Sequence, residues 1–201
     1  MSASTTRDRL IDVAADLFYA HGFQAVGLDQ ILEEVGITKT AFYKHFESKD
    51  ELIVAVLGQR DQRELDEWMT YVRARGRAGA REQLGALFEL LDEWFSQPQF
   101  RGCLFLNALT EFPSERDPIN QAARKHGEHL ARAIHELAQR AGAKDAEALT
   151  GQIMLLITGA IAARHRGGEL GSARTAGGVA RILIDVGCAP DVAPTAAPGA
   201  R

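Results

Sequence analysis

Three features of this 201-residue chain predict an all-α fold. Apolar residues recur at helical spacing along most of its length, and no stretch alternates with period two. Glycine and proline punctuation at Gly22, Gly36, Pro98, Pro113 and Gly142 cuts the periodic segments apart. The expected organisation is a small three-helix unit over residues 1–50, a larger helical unit over 51–188 and a tail over 189–201. That tail carries three prolines and no aromatic residue, so it is expected to be disordered. With 46% hydrophobic and 25% charged residues, the chain holds enough apolar material for a substantial core.

Residues 5–20 are the first expected helix, because Leu10, Ile11, Ala14, Leu17 and Phe18 share one face and Gly22 stops it. Arg7 and Arg9 lie off that face; contact with phosphates and plain solvation are both open readings for them. Leu28, Ile31, Leu32 and Val35 form a second helical stripe, ended by Gly36, since glycine turns into the left-handed cap at little cost. Thr38 is then a natural N-cap, and Ala41, Phe42 and Phe46 point a third helix inward. Thr38, Lys39, Thr40, Tyr43, Lys44 and His45 are left on its outer side. Ser48, three residues before Glu51, reads as a capping box that opens a fourth helix. Two helices joined by a short glycine-containing turn, the second with a basic outer face, make a helix-turn-helix. Such a second helix is expected to enter the major groove of DNA. Lys39 and Thr40 in its first turn are placed for base edges; Tyr43, His45 and Lys49 are placed for phosphates, and Lys44 for phosphate or solvent.

The run Gly36-Ile37-Thr38-Lys39, then Phe42-Tyr43, His45-Phe46, Ser48-Lys49 and Leu52, resembles the signature of the tetracycline-repressor (TetR) family of bacterial regulators. The resemblance covers roughly the first 55 residues. It implies an all-helical homodimer whose N-terminal domains bind palindromic double-stranded operator DNA and whose C-terminal domains bind a small-molecule inducer. Two positions depart from the pattern. Gly27 stands where the family usually has a Ser or Thr cap, and Asp29 places a negative charge where DNA phosphates would pass.

The fourth helix keeps its apolar spacing through Leu52, Val56, Leu57, Leu65, Trp68, Met69 and Val72, so it is expected to link the two units mechanically. Residues 73–81, with four arginines among glycine and alanine, read as an interhelical loop. Further helices are expected over residues 82–97, 101–112, 117–141, 145–165 and 176–186. Asp117-Pro118 is a typical helix start, because proline's missing N–H does no harm in the first turn.

Net charge is −4, and residues 1–50 alone carry five Lys and Arg against eight Asp and Glu. DNA binding is therefore expected from the local patch, where residues 38–49 hold three lysines and one glutamate. Two cysteines, Cys103 and Cys188, make neither a disulfide framework nor a zinc site, and the start of the chain has no apolar signal segment; a cytoplasmic location is expected. Residues 148–163 are uncharged but fall short of the roughly 20 apolar residues of a membrane span, so a buried helix and no membrane partner are expected. His126, His129 and His135 raise a metal site only in principle, since no second pair of ligands is visible. No catalytic motif is present, and no metal or cofactor is expected.

In the second unit, Trp68, Phe88, Trp94, Phe95, Phe105 and Phe112 suit a ligand cavity or a plain core, and Asn107 and Glu111 are the polar candidates to orient a ligand. Cys103, at a helix start two residues after Arg101, has the local setting of a lowered thiol pKa, with a small buried side chain as the other reading. A homodimer is expected through the last two helices, with Leu155, Gly159 and Leu183 at the interface. The functional expectation is a sequence-specific repressor released from DNA by an inducer. An activator or a constitutive regulator is the near alternative, and a helical enzyme or metal-binding protein the remote one.

Overall fold

A computed structural model describes residues 5–167 and 170–188. The expectation for the tail over 189–201 lies outside the described residues. Among them are nine α-helices and no strand: α1 (Thr6–His21), α2 (Leu28–Val35), α3 (Lys39–Phe42), α4 (Lys49–Arg75), α5 (Ala80–Phe95), α6 (Leu104–Glu111), α7 (Pro118–Arg140), α8 (Ala146–Gly167) and α9 (Ser172–Gly187).

Local chemistry accounts for the N-terminal boundaries. Thr5 caps α1 in a reciprocal box with Asp8, and Gly22 closes it at φ 88. Gly27 starts α2 without a side-chain cap, and Gly36 ends it in the left-handed region at φ 75, ψ 41. The Gly36 and Ile37 amides both return to the Leu32 carbonyl, which satisfies the end of α2 and aims the chain at α3. Thr38 Oγ1 accepts the Ala41 amide at 3.2 Å. Regular α-helix then lasts only one turn; beyond it, Lys44 and His45 donate to carbonyls three residues back, a tightening typical of helix ends. The expected box at Ser48 is half right. Ser48 Oγ accepts the Glu51 amide, but the Glu51 carboxylate reaches past Ser48 to the Glu47 amide at 2.6 Å.

The three N-terminal helices close over Leu10, Ile11, Ala14, Phe18, Ile31, Phe42 and Phe46, all buried. Their core runs without a break into the second unit, because the 27-residue α4 belongs to both. The expected boundary near residue 50 therefore falls at the start of a continuous helix rather than in a linker. In the second unit α4 packs on α5 and α7, α6 on α7, and α8 and α9 on one another and on α5. The arginine-rich loop is shorter than expected, because α4 extends to Arg75 and α5 starts at Ala80. Arg75 pairs with Glu93 on α5, and Arg81 with Asp185 on α9. α9 begins four residues earlier than expected, where the Ser172 hydroxyl donates to the Ala160 carbonyl and ties its start to α8.

α8 departs from expectation in a telling way. It is long and apolar enough to cross a membrane by length and composition, yet only 33% of its most apolar window is buried within the chain. Ile153, Ile157, Ala160 and Ile161 face the core, while Gly151, Leu155 and Gly159 are exposed. On α9 the exposed apolar residues are Val179, Ile182 and Val186, and Leu183 packs partly into the core. Leu155 and Gly159 thus lie on the uncovered face of α8. Leu183 is shifted off it by one position, because a helix with apolar residues on several sides does not reveal its phase.

The residue that joins the two units is Phe23, in the turn between α1 and α2. It is fully buried, its ring 5.2 Å from Phe18 and 6.0 Å edge-on from Phe112 at the end of α6. Phe23→Ala is expected to destabilise the protein by about 3–5 kcal/mol, as large core truncations do. Urea denaturation of the two proteins checks this; a loss below about 1 kcal/mol would mean that the junction does not depend on this ring.

Candidate nucleic-acid interface and candidate ligand cavity

One surface of the N-terminal unit gathers the expected nucleic-acid contacts. Thr38, Lys39, Thr40, Tyr43 and Lys44 are all exposed, Tyr43 by 52%, and His45 is half-buried beside them. Tyr43 is steadied by an edge-on contact of its ring with buried Phe42 at 5.3 Å. Thr38 spends one lone pair of its oxygen on capping α3, which leaves its hydroxyl proton and second lone pair for another partner. The Lys39 ammonium lies 3.9 Å from the Asp29 carboxylate, both well exposed, so the acidic departure at position 29 sits directly against the first base-reading candidate.

Three cationic side chains near this surface have structural duties. Arg9 donates to the Val35 carbonyl at 2.7 Å, adding to the C-terminal cap of α2, and the Arg7 guanidinium lies 5.0 Å above the Phe46 ring. Lys49 is half-buried, and its ammonium donates to the Phe23 and Val26 carbonyls at 2.8 Å each. The expected phosphate contact by the Lys49 side chain is corrected accordingly. The ammonium pins the α1–α2 turn to the start of α4.

Glu111 needs a parallel correction. Its carboxylate does not line a cavity; it accepts the Phe23 amide at 3.1 Å and the Gln24 amide at 2.7 Å. Gly22, at φ 88, makes room for it, since a Cβ there would stand 3.1 Å from Oε1. Carbonyls of the α1–α2 turn are thus held by Lys49 on α4, and its amides by Glu111 on α6. The Tyr19 hydroxyl also accepts the Arg101 amide just ahead of α6. Asn107 is likewise turned away from any ligand, donating to the Arg101 carbonyl at 3.2 Å.

A cavity of about 390 Å³ lies among α4, α5, α6, α7 and α8. This is within the usual size range for small-molecule sites. Trp68, Trp94 and Phe105 line it, and so does Cys103. Phe88 and Phe95 do not. Phe88 packs against α9 where Gly177 allows close approach, and Phe95 is fully buried beside Phe100 at 5.1 Å. The space exists because α7 presents Ala123, Gly127 and Ala131 at i, i+4 and i+8, a stripe with little side chain. Met154, Ile157 and Ile161 of α8 supply much of the far wall. That stripe of small residues was a signal present in the sequence, as was Glu64, an acid on the apolar stripe of α4 that is buried at the cavity wall.

Beside the cavity, His126 stacks on Phe105 with ring centroids 3.6 Å apart. His126 and His129 both direct Nδ1 at the Asp61 carboxylate, at 2.9 and 2.6 Å. The i, i+3 pair therefore grips α4 through one shared carboxylate. Among the described residues no group of three candidate ligands could hold a metal. Cys103 is buried, and burial, reinforced by the negative charge of Glu64, pushes its thiol from the usual value near 9 up to about 12. The activating setting read from its neighbours is overridden by desolvation.

Residues 10–56 match the family described as "Bacterial regulatory proteins, tetR family", and residues 80–169 match "Tetracyclin repressor-like, C-terminal domain". The crystal structure of SCO4454, a TetR-family transcriptional regulator from Streptomyces coelicolor, is 31% identical, covers 90% of this chain and 95% of its own, and superposes with a TM-score of 0.82. The chain belongs to the TetR family.

Among curated relatives of this TetR-family protein, the HTH-type transcriptional regulator SrpR of Pseudomonas putida is 45% identical over 58 residues, 29% of this chain and 27% of that protein. The HTH-type transcriptional activator FasR of Mycolicibacterium smegmatis is 39% identical over 67 residues, 33% of this chain and 29% of its own. Both alignments thus span under a third of those relatives. The match is sufficient to place this chain among DNA-binding transcriptional regulators rather than enzymes.

The raised thiol pKa carries a pH signature. A thiol held protonated by the fold contributes stability in full below the unfolded value near 9, and that contribution is lost as pH climbs toward 12. In the native protein at pH 8, Cys103 is expected to resist iodoacetamide, and after denaturation to react freely. Peptide mass mapping of the alkylated site checks this; rapid native labelling at Cys103 would contradict the burial argument.

Proposed function

We propose that this TetR-family protein is a cytoplasmic, homodimeric repressor that leaves a palindromic operator when a small apolar molecule fills the cavity. The observation that supports this best is that the cavity and the reading head share their supports. α6 lines the cavity with Phe105, Leu106 and Leu109 and ends in Glu111 on the α1–α2 turn. α4 contributes Glu64 and Trp68 and begins with Lys49 on the same turn. A ligand that displaces either helix therefore displaces the platform carrying α3. A dimer contacts both half-sites only if its two recognition helices stay about 34 Å apart, or a multiple of that distance. A tilt transmitted through α4 and α6 would alter the spacing. The likeness to FasR favours an activator as the second reading; a reporter gene behind the selected operator separates the two by the sign of the response.

In the DNA reading, Lys39 and Thr40 contact base edges, Tyr43, Lys44 and His45 contact the backbone, and Lys49 acts through the turn it pins. Lys39→Ala should weaken the preferred operator by about 1–3 kcal/mol and relax base preference. Asp29→Asn should tighten every sequence, by about threefold, because it frees Lys39 and removes a charge from the phosphate path. Fluorescence anisotropy with operators from binding-site selection measures both. Unchanged binding in Lys39→Ala would remove α3 from the interface.

The dimer is proposed to form through the uncovered faces of α8 and α9, where Leu155 is 73% exposed and Ile182 64%. Gly151 and Gly159 flank Leu155 one turn away on either side with open space around them, so a partner helix could approach closely. Because these side chains are exposed within the protomer, Leu155→Asp and Ile182→Asp should leave its helix content intact while splitting the dimer. Sedimentation velocity at micromolar concentration would then show a monomer; a persisting dimer in both variants would place the interface elsewhere.

A further inference from the structure

We propose that the cavity selects a small lipophilic molecule bearing one cationic nitrogen, with that nitrogen set against Glu64 and the apolar body against Trp68, Trp94 and Phe105. This rests on the ligand-release reading above and adds the chemical class of the ligand.

Glu64 is an anomaly by position. It lies on the inward stripe of α4, its side chain only 9% exposed, in a lining that is mostly aromatic and aliphatic. An ionised carboxylate in such a place is costly unless paired. Its pairing is incomplete: among the described residues its hydrogen bond comes from Arg60 Nε, at 2.9 Å to Oε2. Arg60 itself is 40% exposed and shares its charge with solvent. Glu64 and Cys103 both line the cavity, so the carboxylate borders the space that a ligand would fill.

The other charged groups at the cavity do not compete for this role. Arg124 and Glu128 are exposed at its edge, and Arg124 pairs with Glu115. His126 is committed through Nδ1 to Asp61. Trp68 and Trp94 meet edge-on, with centroids 6.4 Å apart at 68°, and form an aromatic corner at the same wall. A cation desolvated near a carboxylate gains from both the charge and the ring faces. An anion of the same shape would meet Glu64 across a medium of low polarity. A neutral molecule would keep the apolar contacts without the charge pairing.

The chain's two tryptophans both line this cavity, so their fluorescence reports its occupation directly. Phenylbutylamine, phenylbutanol and phenylbutanoate share one apolar body and differ in the charge of the head group. Titrated at neutral pH into the full chain, they are expected to bind in that order, the amine at least about tenfold tighter than the carboxylate. Glu64→Gln should bring amine and alcohol within about twofold of each other, and Arg60→Gln, which leaves Glu64 without its partner, should widen the gap. The wild-type series and the Arg60→Gln arm decide the matter even if Glu64→Gln does not fold. Binding of the alcohol with no preference for the amine, or a preference that survives in folded Glu64→Gln, overturns the ligand class and leaves the cavity reading standing. Failure of all three probes to alter the fluorescence overturns both.

Discussion

The turn between α1 and α2 is a short stretch of backbone held from two directions, and the arrangement of the whole protein depends on that hold. Its carbonyls at Phe23 and Val26 accept the Lys49 ammonium, and its amides at Phe23 and Gln24 donate to the Glu111 carboxylate. Hydrogen bonds to charged groups are the strong ones, worth about 1.5–3 kcal/mol each where solvent is excluded. Between these two ions the Phe23 ring seats against Phe18 on one side and Phe112 on the other. A turn between two helices would ordinarily be a tolerant surface loop. Here it is the point at which the DNA-binding unit learns where α4 and α6 are.

In the proposed release mechanism, that hold is what would connect the cavity to α3. α6 is eight residues long, with its N-cap Cys103 and first-turn Phe105 at the cavity and its last residue, Glu111, on the turn. A short rigid element with distinct contacts at each end passes a displacement along instead of absorbing it. A second route runs through α4, which Asp61 fastens to α7 by way of His126 and His129. Energetically, a ligand biases the two arrangements only by its difference in affinity for them, and a swing from 1:99 to 99:1 needs about 5.5 kcal/mol of difference. A largely apolar cavity lined by two tryptophans offers contacts that can be made in one arrangement and lost in the other.

What was legible in the sequence is what local chemistry decides. Gly36, Thr38, Ser48 and Asp117 mark helix ends by rules that act within four residues, and the structure places caps at each of them. The outward face of α3 follows from the inward stripe of Phe42 and Phe46 by the same short-range logic. The clamp was not legible, because Lys49 meets partners 26 and 23 positions away and Glu111 partners 88 and 87 positions away. No periodicity connects such residues. Among the aromatics, residue type alone could not tell Trp94, at the cavity, from its neighbour Phe95, in the core. For Cys103 the visible helix start and nearby Arg101 argued one way, and burial, which depends on the packing of other helices, decided the other.

Three breaks of local rules meet at the cavity. Gly127 sits inside a 23-residue helix, a position where glycine is worse than alanine by about 1 kcal/mol, and nothing lies within 4 Å of where its Cβ would be. Glu64 places a carboxylate where the stripe of α4 calls for an apolar group, and Cys103 stands at the N-cap of α6, where Ser, Thr, Asp or Asn is the usual choice. Each of these choices lowers the stability of the protein standing alone. A chain selected only to fold would fill the space beside Gly127 and replace Glu64 with leucine or methionine. Three such departures converge on one largely apolar cavity, lined in part by the helix that ends on the Phe23 turn, and the proposed ligand supplies one reason for all three.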